Sequence, residues 1–365
     1  MIKWMLFLCS FQLHAATCWP DWQQFKSLYV EQGRVIDRSD ARLISTSEGQ
    51  SYGLFFALVA NDPDAFSLIL SWTEDKLAQA DLTARLPAWL WGRKEEGIYG
   101  VIDNNTASDS DLWMAYTLAE AGRLWNNYYY QSLGFLMASR ILREETRRWS
   151  GNDIILLPGV QGFEGEDESY RLNPSYVPLQ LLQRLQVLYP QYPWGAVYQS
   201  SFQMLIDTMP KGFSPDWVLA KNGHYYSNKK TSVGSFNAIR TYLWAGMLND
   251  ELEDKAALMT KMSPMITAVS QFNAPPLIVN TQTGHYTQEG GAGFSAAILP
   301  LLVSAKRTQL ASFQAKRAQG VFQSKSDKSY YNNVLALFGL GWFEKRYRFG
   351  VTGELLPNWT DTCSE

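Results

Sequence analysis

The chain has 365 residues, 46% of them hydrophobic, which is enough for a large core and too apolar for a disordered chain. Its 32 basic and 35 acidic residues give a formal charge of −3 with no cationic stripe, so nucleic acid is excluded as a partner. Aromatic residues reach 14%; such rings fill cores, and Trp and Tyr also make flat platforms for sugars.

Residues 1–16 read as a secretory signal: Lys3, the apolar run Trp4 to Cys9 and Phe11 to Leu13, then Ala15-Ala16. That run is shorter than the ~20 apolar residues that span a bilayer. No later segment reaches that length uninterrupted. The sequence therefore predicts an exported chain, periplasmic or extracellular, with no membrane span in residues 17–365. Cys9 leaves with the signal. Cys18 and Cys363 remain, an even number of thiols in an oxidising compartment, which predicts a disulfide. Those two thiols, with His224 and His285 far apart, make no zinc-like cluster, so no metal is expected.

Helical periodicity recurs over 20–32, 49–60, 63–80, 110–125, 128–146, 175–189, 194–208, 235–247, 251–268, 293–303, 309–319 and 328–345. Asp62 before Pro63 reads as a cap followed by a first-turn proline. Ser47 with Gln50 has capping-box spacing. Ser108 and Asp111 place acidic character in a first turn, where the helix dipole favours it. The connections carry Leu157-Pro158-Gly159 and Ala274-Pro275-Pro276. Long alternating patterns are scarce; Gly284 to Thr287 is the one short strand expected. About twelve helices without a linker predict one all-α domain. A toroid of paired helices and an α-solenoid both satisfy that count.

Two stretches carry carboxylates in a setting suited to chemistry. Thr46-Ser47-Glu48-Gly49-Gln50-Ser51-Tyr52-Gly53 puts Glu48 at a helix start, where it is either a solvated cap or a working acid. Gly49, Ser51 and Gly53 also match the Gly-x-Ser-x-Gly elbow of serine hydrolases, but Asp40 to Ser45 is a poor strand to precede one. Ala107-Ser108-Asp109-Ser110-Asp111-Leu112-Trp113-Met114-Ala115 holds two acids ahead of an apolar helical face, either as a doubly acidic cap or as a site. Carboxyls from separate segments, brought together among aromatic rings, are the equipment of a glycosidase: one donates a proton to the leaving oxygen, one activates water. A general acid must stay protonated near neutral pH, although a helix N-terminus favours its anion. Glu48 therefore needs burial or an anionic neighbour such as Asp109.

These two motifs, with Phe236-Asn237-Ala238-Ile239-Arg240, resemble glycoside hydrolase family 8. Gly33 to Asp37, Leu86 to Gly92, Asn173 to Tyr176, Lys211 to Trp217 and Gly353 to Pro357 are similar too, so the resemblance runs along essentially the whole chain. It implies an (α/α)6 barrel of six inner and six outer helices, as one catalytic domain over 17–365. It also implies an inverting endo-β-1,4-glucanase with an open groove for a β-1,4-glucan chain, and no cofactor. Glu48 falls on the proton donor, and Asp109 on the acid that holds the distorted sugar. Trp91, Asp111, Tyr176, Arg240 and Tyr331 fall in stretches that line the groove. The resemblance further implies a monomer serving bacterial cellulose synthesis beside the cellulose synthase secretion complex. One position departs: the family's usual base is an Asp where this chain has Asn237. An amide is not basic near neutral pH. The base is then supplied from elsewhere, with Glu164, Glu166, Asp167 and Glu289 as candidates, or the chain is a glucan-binding pseudoenzyme.

Overall fold

The computed structural model describes residues 19–95, 97–323 and 330–359. The expected export signal at residues 1–16, Cys18 and Cys363 lie outside the described residues. Helices α1 (Pro20–Tyr29), α2 (Ser47–Val59), α3 (Pro63–Leu77), α4 (Ser108–Leu124), α5 (Tyr128–Glu144), α6 (Leu179–Leu188) and α7 (Trp194–Asp207) make up the first half. In the second half come α8 (Ala238–Met247), α9 (Glu253–Lys261), α10 (Ser263–Phe272), α11 (Ala292–Ala297), α12 (Leu299–Ser304), α13 (Thr308–Gln323) and α14 (Tyr330–Phe343).

Burial alternates along the chain. Helices α2, α4, α8 and α14 are buried around most or all of their circumference, and α6 and the α11–α12 pair over most of theirs. Such helices belong inside a bundle. Between them, α1, α3, α5, α7 and α9–α10 bury one stripe each. With α13 as the sixth outer element, the result is the (α/α)6 barrel the resemblance implies. Aromatic rings close the inner ring at its centre: Trp113 of α4 lies 4.9 Å from Phe55 of α2 and 5.1 Å from Trp244 of α8, and Phe338 of α14 lies 4.9 Å from Tyr52 of α2. Such pairs each add about 0.5–1.5 kcal/mol beyond the area they bury. Gly134 lets α5 lie against α4, since a Cβ there would meet the Ala119 nitrogen at 2.8 Å.

Local signals explain most helix ends. Asp62 caps α3 by accepting from the Ala65 N–H at 3.1 Å, with Pro63 in the first turn. The capping box expected at Ser47 and Gln50 is not formed. Thr46 is the cap, accepting from Gly49 N–H at 3.0 Å, because it is the last residue in extended conformation. Gln50 instead turns inward to accept from the Val35 N–H at 2.6 Å and donate to Thr73 Oγ1 at 2.8 Å. The expected helix 251–268 is two, α9 and α10, parted at Met262 with Pro264 in the first turn of α10. The expected 293–303 is likewise α11 and α12, with Pro300 at the start of the second.

The expected strand at Gly284 to Thr287 is Tyr286–Glu289, and the described residues hold fourteen more, each two to five residues long. Several sit just ahead of inner helices. Ser45–Thr46 precedes α2, Tyr99–Asp103 precedes α4, and Tyr170–Leu172 precedes the single 3-10 turn Pro174–Tyr176 and α6. Val233–Gly234 precedes α8, and Tyr286–Glu289 precedes α11. Three of these pair antiparallel with strands from other connections, Ser45 with Trp91, Tyr170 with Ala220 and Val233 with Asn280, and the other two pair within their own connection. The N-terminal ends of the inner helices thus carry a rim of small sheets.

Candidate active site

Three inner-helix starts meet at that rim. Glu48 is the second residue of α2, Asp109 the second of α4, and Arg240 stands in the first turn of α8. The Ser47 and Ser110 hydroxyls lie 2.6 Å apart and tie the first two starts together. Arg240 Nη1 donates to Glu48 Oε2, to Tyr52 Oη at 3.1 Å and to Asp109 Oδ2 at 3.4 Å. Its Nη2 donates to Ser175 Oγ at 3.3 Å and Asn237 Oδ1 at 3.0 Å. Burial opposes the charge of this guanidinium, but Glu48, Tyr52, Tyr331 and Asp109 outweigh it and hold Arg240 firmly protonated.

The two carboxyls differ in access. The Glu48 side chain is 24% exposed, whereas that of Asp109 is 2% exposed. Burial first, and then the neighbouring Glu48 charge, push the Asp109 carboxyl well above the usual carboxylate range; Arg240 pulls the other way. Asp109 and Glu48 also share a hydrogen bond. The pair therefore holds a proton next to a group open to the cleft, which a general acid requires.

Asn237 has a fixed orientation. Its Oδ1 accepts from Arg240 Nη2 at 3.0 Å and from Asn173 Nδ2 at 3.2 Å. The Asn173 amide is itself fixed, because its Oδ1 accepts from the Ser175 N–H at 3.0 Å and the Ser175 hydroxyl at 2.8 Å. The end of Asn237 turned away from Arg240 is consequently its NH2, a pure donor. Beneath it, Asp216 Oδ1 accepts from the backbone N–H of Ser235, Asn237 and Ala238 at 2.8–3.0 Å and caps α8 from outside the helix. Burial raises the Asp216 carboxyl despite those three donors. Sequence reasoning missed this residue; its signal was the Ser214-Pro215-Asp216-Trp217 stretch.

Aromatic rings flank the carboxyls on two sides. Trp91, paired with Ser45 just ahead of α2, stacks on Tyr99 with centroids 5.2 Å apart, and the Arg34 guanidinium lies 4.3 Å from its ring. On the other side, half-buried Tyr176 lies 5.7 Å from the Arg240 guanidinium and 6.3 Å from Trp217. Trp217 stacks on Phe163 at 6.0 Å, and Arg171 covers it at 3.9 Å. Tyr331 of α14 donates its hydroxyl to the Phe236 carbonyl beside Asn237. A pocket of about 570 Å³ between α10 and the start of α13 contains none of these groups.

Some expected site residues lie elsewhere. Asp111 does not line the groove: it is 0% exposed and its carboxyl faces Glu145, because two residues along a helix turn the side chain away from Asp109. Ser51 lies in the second turn of α2, donating to the Glu48 carbonyl at 2.8 Å, rather than on a strand-to-helix elbow. Glu164, Asp167 and Glu289 are in surface ion pairs with Arg147, Lys221 and Arg317, and Glu166 is exposed.

Comparison with known proteins agrees with this geometry. The sequence profile of glycosyl hydrolases family 8 matches residues 1–345. An endoglucanase of Escherichia coli (strain K12) is 46% identical over 365 residues, covering 99% of this chain and 96% of that protein. An endoglucanase of Xanthomonas axonopodis pv. citri (strain 306) is 41% identical over 350 residues, covering 95% and 91%. The crystal structure of endo-1,4-D-glucanase from Vibrio fischeri ES114 superposes with a TM-score of 0.90 at 52% identity, covering 94% of this chain and 99% of that one. A cold-adapted family 8 xylanase shares the fold at TM-score 0.69 and 15% identity. With the barrel, the paired carboxyls and a full-length match in hand, this chain belongs to glycosyl hydrolases family 8.

Proposed function

We propose that this protein hydrolyses internal β-1,4-glucosidic bonds of a cellulose-like glucan with inversion at the anomeric carbon. The observation that carries this reading is the Glu48–Asp109–Arg240 cluster, set between the Trp91–Tyr99 stack and the Tyr176–Trp217 pair. Planar aromatic faces suit the apolar faces of glucose rings. Relatives covering nearly the whole chain carry the name endoglucanase.

Glu48, the more accessible carboxyl, passes the proton that it shares with Asp109 to the leaving oxygen. Asp109, buried behind it, accepts from a sugar hydroxyl and holds the ring as positive charge develops. Arg240 keeps both carboxyls in register and neutralises the charge left on Glu48. Inversion needs water on the opposite face of the sugar, with a proton acceptor about 6.5–9.5 Å from the donor. Asn237 occupies the family's base position but presents its NH2, so it holds the water oxygen without taking its proton, which passes to the solvent in the open groove as the new C–O bond forms. That amide favours a second reading, a glucan-binding pseudoenzyme with little turnover.

The rest of the proposal rests on the N-terminal sequence for export and on the family resemblance for the monomer and the cellulose synthase setting. Residues 1–16 export the chain, and residues 17–365 act as one monomeric domain in the periplasm or outside the cell. There it trims glucan beside the cellulose synthase secretion complex.

Viscosity and reducing ends of a soluble cellulose derivative, followed together, test the function. An endo-acting enzyme drops viscosity before reducing ends accumulate, and proton NMR shows the α-anomer first. Glu48→Gln should lower turnover by about 10²–10⁴-fold while leaving cello-oligosaccharide binding within a few-fold. Binding without any turnover in the wild type would select the pseudoenzyme.

A further inference from the structure

Behind Asp109 lies a second carboxyl pair. Asp111 of α4 and Glu145, the residue that ends α5, are both 0% exposed. Their carboxyls face one another, so a proton on either can be shared between them, and no Lys, Arg or His among the described residues pairs with either. No other described group hydrogen-bonds the Asp111 oxygens. Thr106, three residues ahead of Asp109, donates its hydroxyl to Glu145 Oε1 and accepts from the Val160 N–H at 3.1 Å. The Glu145 carbonyl accepts from the Leu157 N–H at 2.7 Å, and Ser108 N–H donates to the Pro158 carbonyl at 3.0 Å. Glu145 thus gathers the two connections that set the first turn of α4.

Two buried carboxyls without a cation are tolerated only while they keep protons. The charged groups around them are few. Asp109 lies beside Asp111 on α4, with Glu48 of α2 and Arg240 of α8 beyond it. Glu144 of α5 is next in sequence, but Arg140 and Arg143 hold it at the surface. Arg240 pairs with Glu48 and Asp109 in front, and no described cation pairs with the two carboxyls behind them. A charge on the rear pair would therefore act on Asp109 through a low-dielectric interior.

We propose that Asp111 and Glu145 are a positioning pair for the Glu48–Asp109 site: facing each other, they fix the first turn of α4 and keep its inner side uncharged, and their ionisation sets the upper pH limit of turnover. The inference rests on the glucanase reading for its kinetic test only. Burial, with the nearby Glu144 charge adding to it, raises Glu145 to about 8 even though Thr106 and Asp111 hydrogen-bond it. When Glu145 loses its proton, the new anion strengthens proton binding at Asp109 and disturbs the carboxyl pair in front.

The kinetic test compares kcat at about pH 8.5 with kcat at about pH 6 for wild type, Glu145→Gln, Asp111→Asn and the surface control Glu144→Gln. Glu145→Gln cannot ionise, and its ratio should exceed that of the wild type about three-fold or more; Glu144→Gln, which removes a charge that helps Glu145 keep its proton, should lower the ratio or leave it level and never raise it. An unchanged ratio in Glu145→Gln, or a loss by the same factor at every pH, would overturn the proposal. Infrared titration reads the pair without substrate and remains decisive if glucan turnover fails. A protonated-carboxyl band persisting to about pH 7 and weakened in Glu145→Gln or Asp111→Asn is expected. Its absence in the wild type refutes the inference whatever the activity.

Discussion

Replacing Asn237 by Asp tests the chemistry of the front of the site most directly. Asn and Asp are nearly isosteric, and the hydrogen bonds from Arg240 at 3.0 Å and Asn173 at 3.2 Å both end on Oδ1, which the carboxylate keeps. The substitution therefore changes one end only: the NH2 facing away from Arg240 becomes an oxygen with free lone pairs. A positioned base contributes about 10²–10⁴-fold in rate, or roughly 3–5 kcal/mol of barrier at 1.36 kcal/mol per tenfold. One term opposes the gain. Arg240 already faces Glu48 and Asp109, and a third carboxylate raises the proton affinity of that pair. Since the effect of a charge on its neighbours is smaller than the provision of a missing base, we expect kcat to rise ten-fold or more (~10–10³). A new acidic limb should appear in the pH profile, because the added carboxylate must be ionised to work. Asn237→Ala should give no gain. The assay is the initial rate of reducing-end release from one soluble β-1,4-glucan by all three proteins. A fully active wild type that gains nothing from Asn237→Asp would refute the vacant-base argument and place the base on another residue.

Glu145→Gln should stabilise the fold at neutral pH. The carboxyl titrates near 4.5 when unfolded and about 8 when folded, so the folded chain binds a proton that the unfolded chain releases between those values. The stability that this carboxyl contributes is then fully present below pH 4.5 and falls as pH rises toward 8. The amide escapes that loss, worth about 3 kcal/mol at pH 7 from 1.36 kcal/mol per unit; urea midpoints at pH 4.5 and 7 that shift equally in both proteins would contradict it. Asp62→Ala removes the α3 cap and leaves the Trp22 ring N–H, 3.1 Å away, without its acceptor, at a cost of about 2–3 kcal/mol at pH 7. Burial raises the Asp62 carboxyl, but hydrogen bonds from Lys26, Ala65 N–H and Trp22 bring it below its ordinary value. The stability it contributes is therefore present above about pH 4 and lost as pH falls through the folded value, so the two melting curves should converge in acid. Cys18 and Cys363 should be bonded in the exported protein, and thiol titration of the denatured, unreduced chain should find none.

The local part of this protein is legible in its residues. Helical periodicity and caps such as Asp62-Pro63 depend on neighbours within one turn, so all twelve expected helices exist, two of them broken at Ser263-Pro264 and Leu299-Pro300. Strands of two to five residues are too short to show alternation, and their partners are distant: Thr46 pairs with Leu90, and Val233 with Asn280. Apart from the one expected at Gly284 to Thr287, only the tertiary structure could reveal them. The same division holds at the site. Glu48, Asp109 and Arg240 were named from motifs, and the fold brings them together. Asp109 and Asp111 look equivalent as first-turn acids, yet the rotation between them sends one to Glu48 and the other to Glu145. An amide at 237 is visible in the sequence. Which end of it meets the cleft was decided by donors from Asn173, 64 residues earlier, and Arg240, because a hydrogen-bond network orients an amide only once its members are assembled in space.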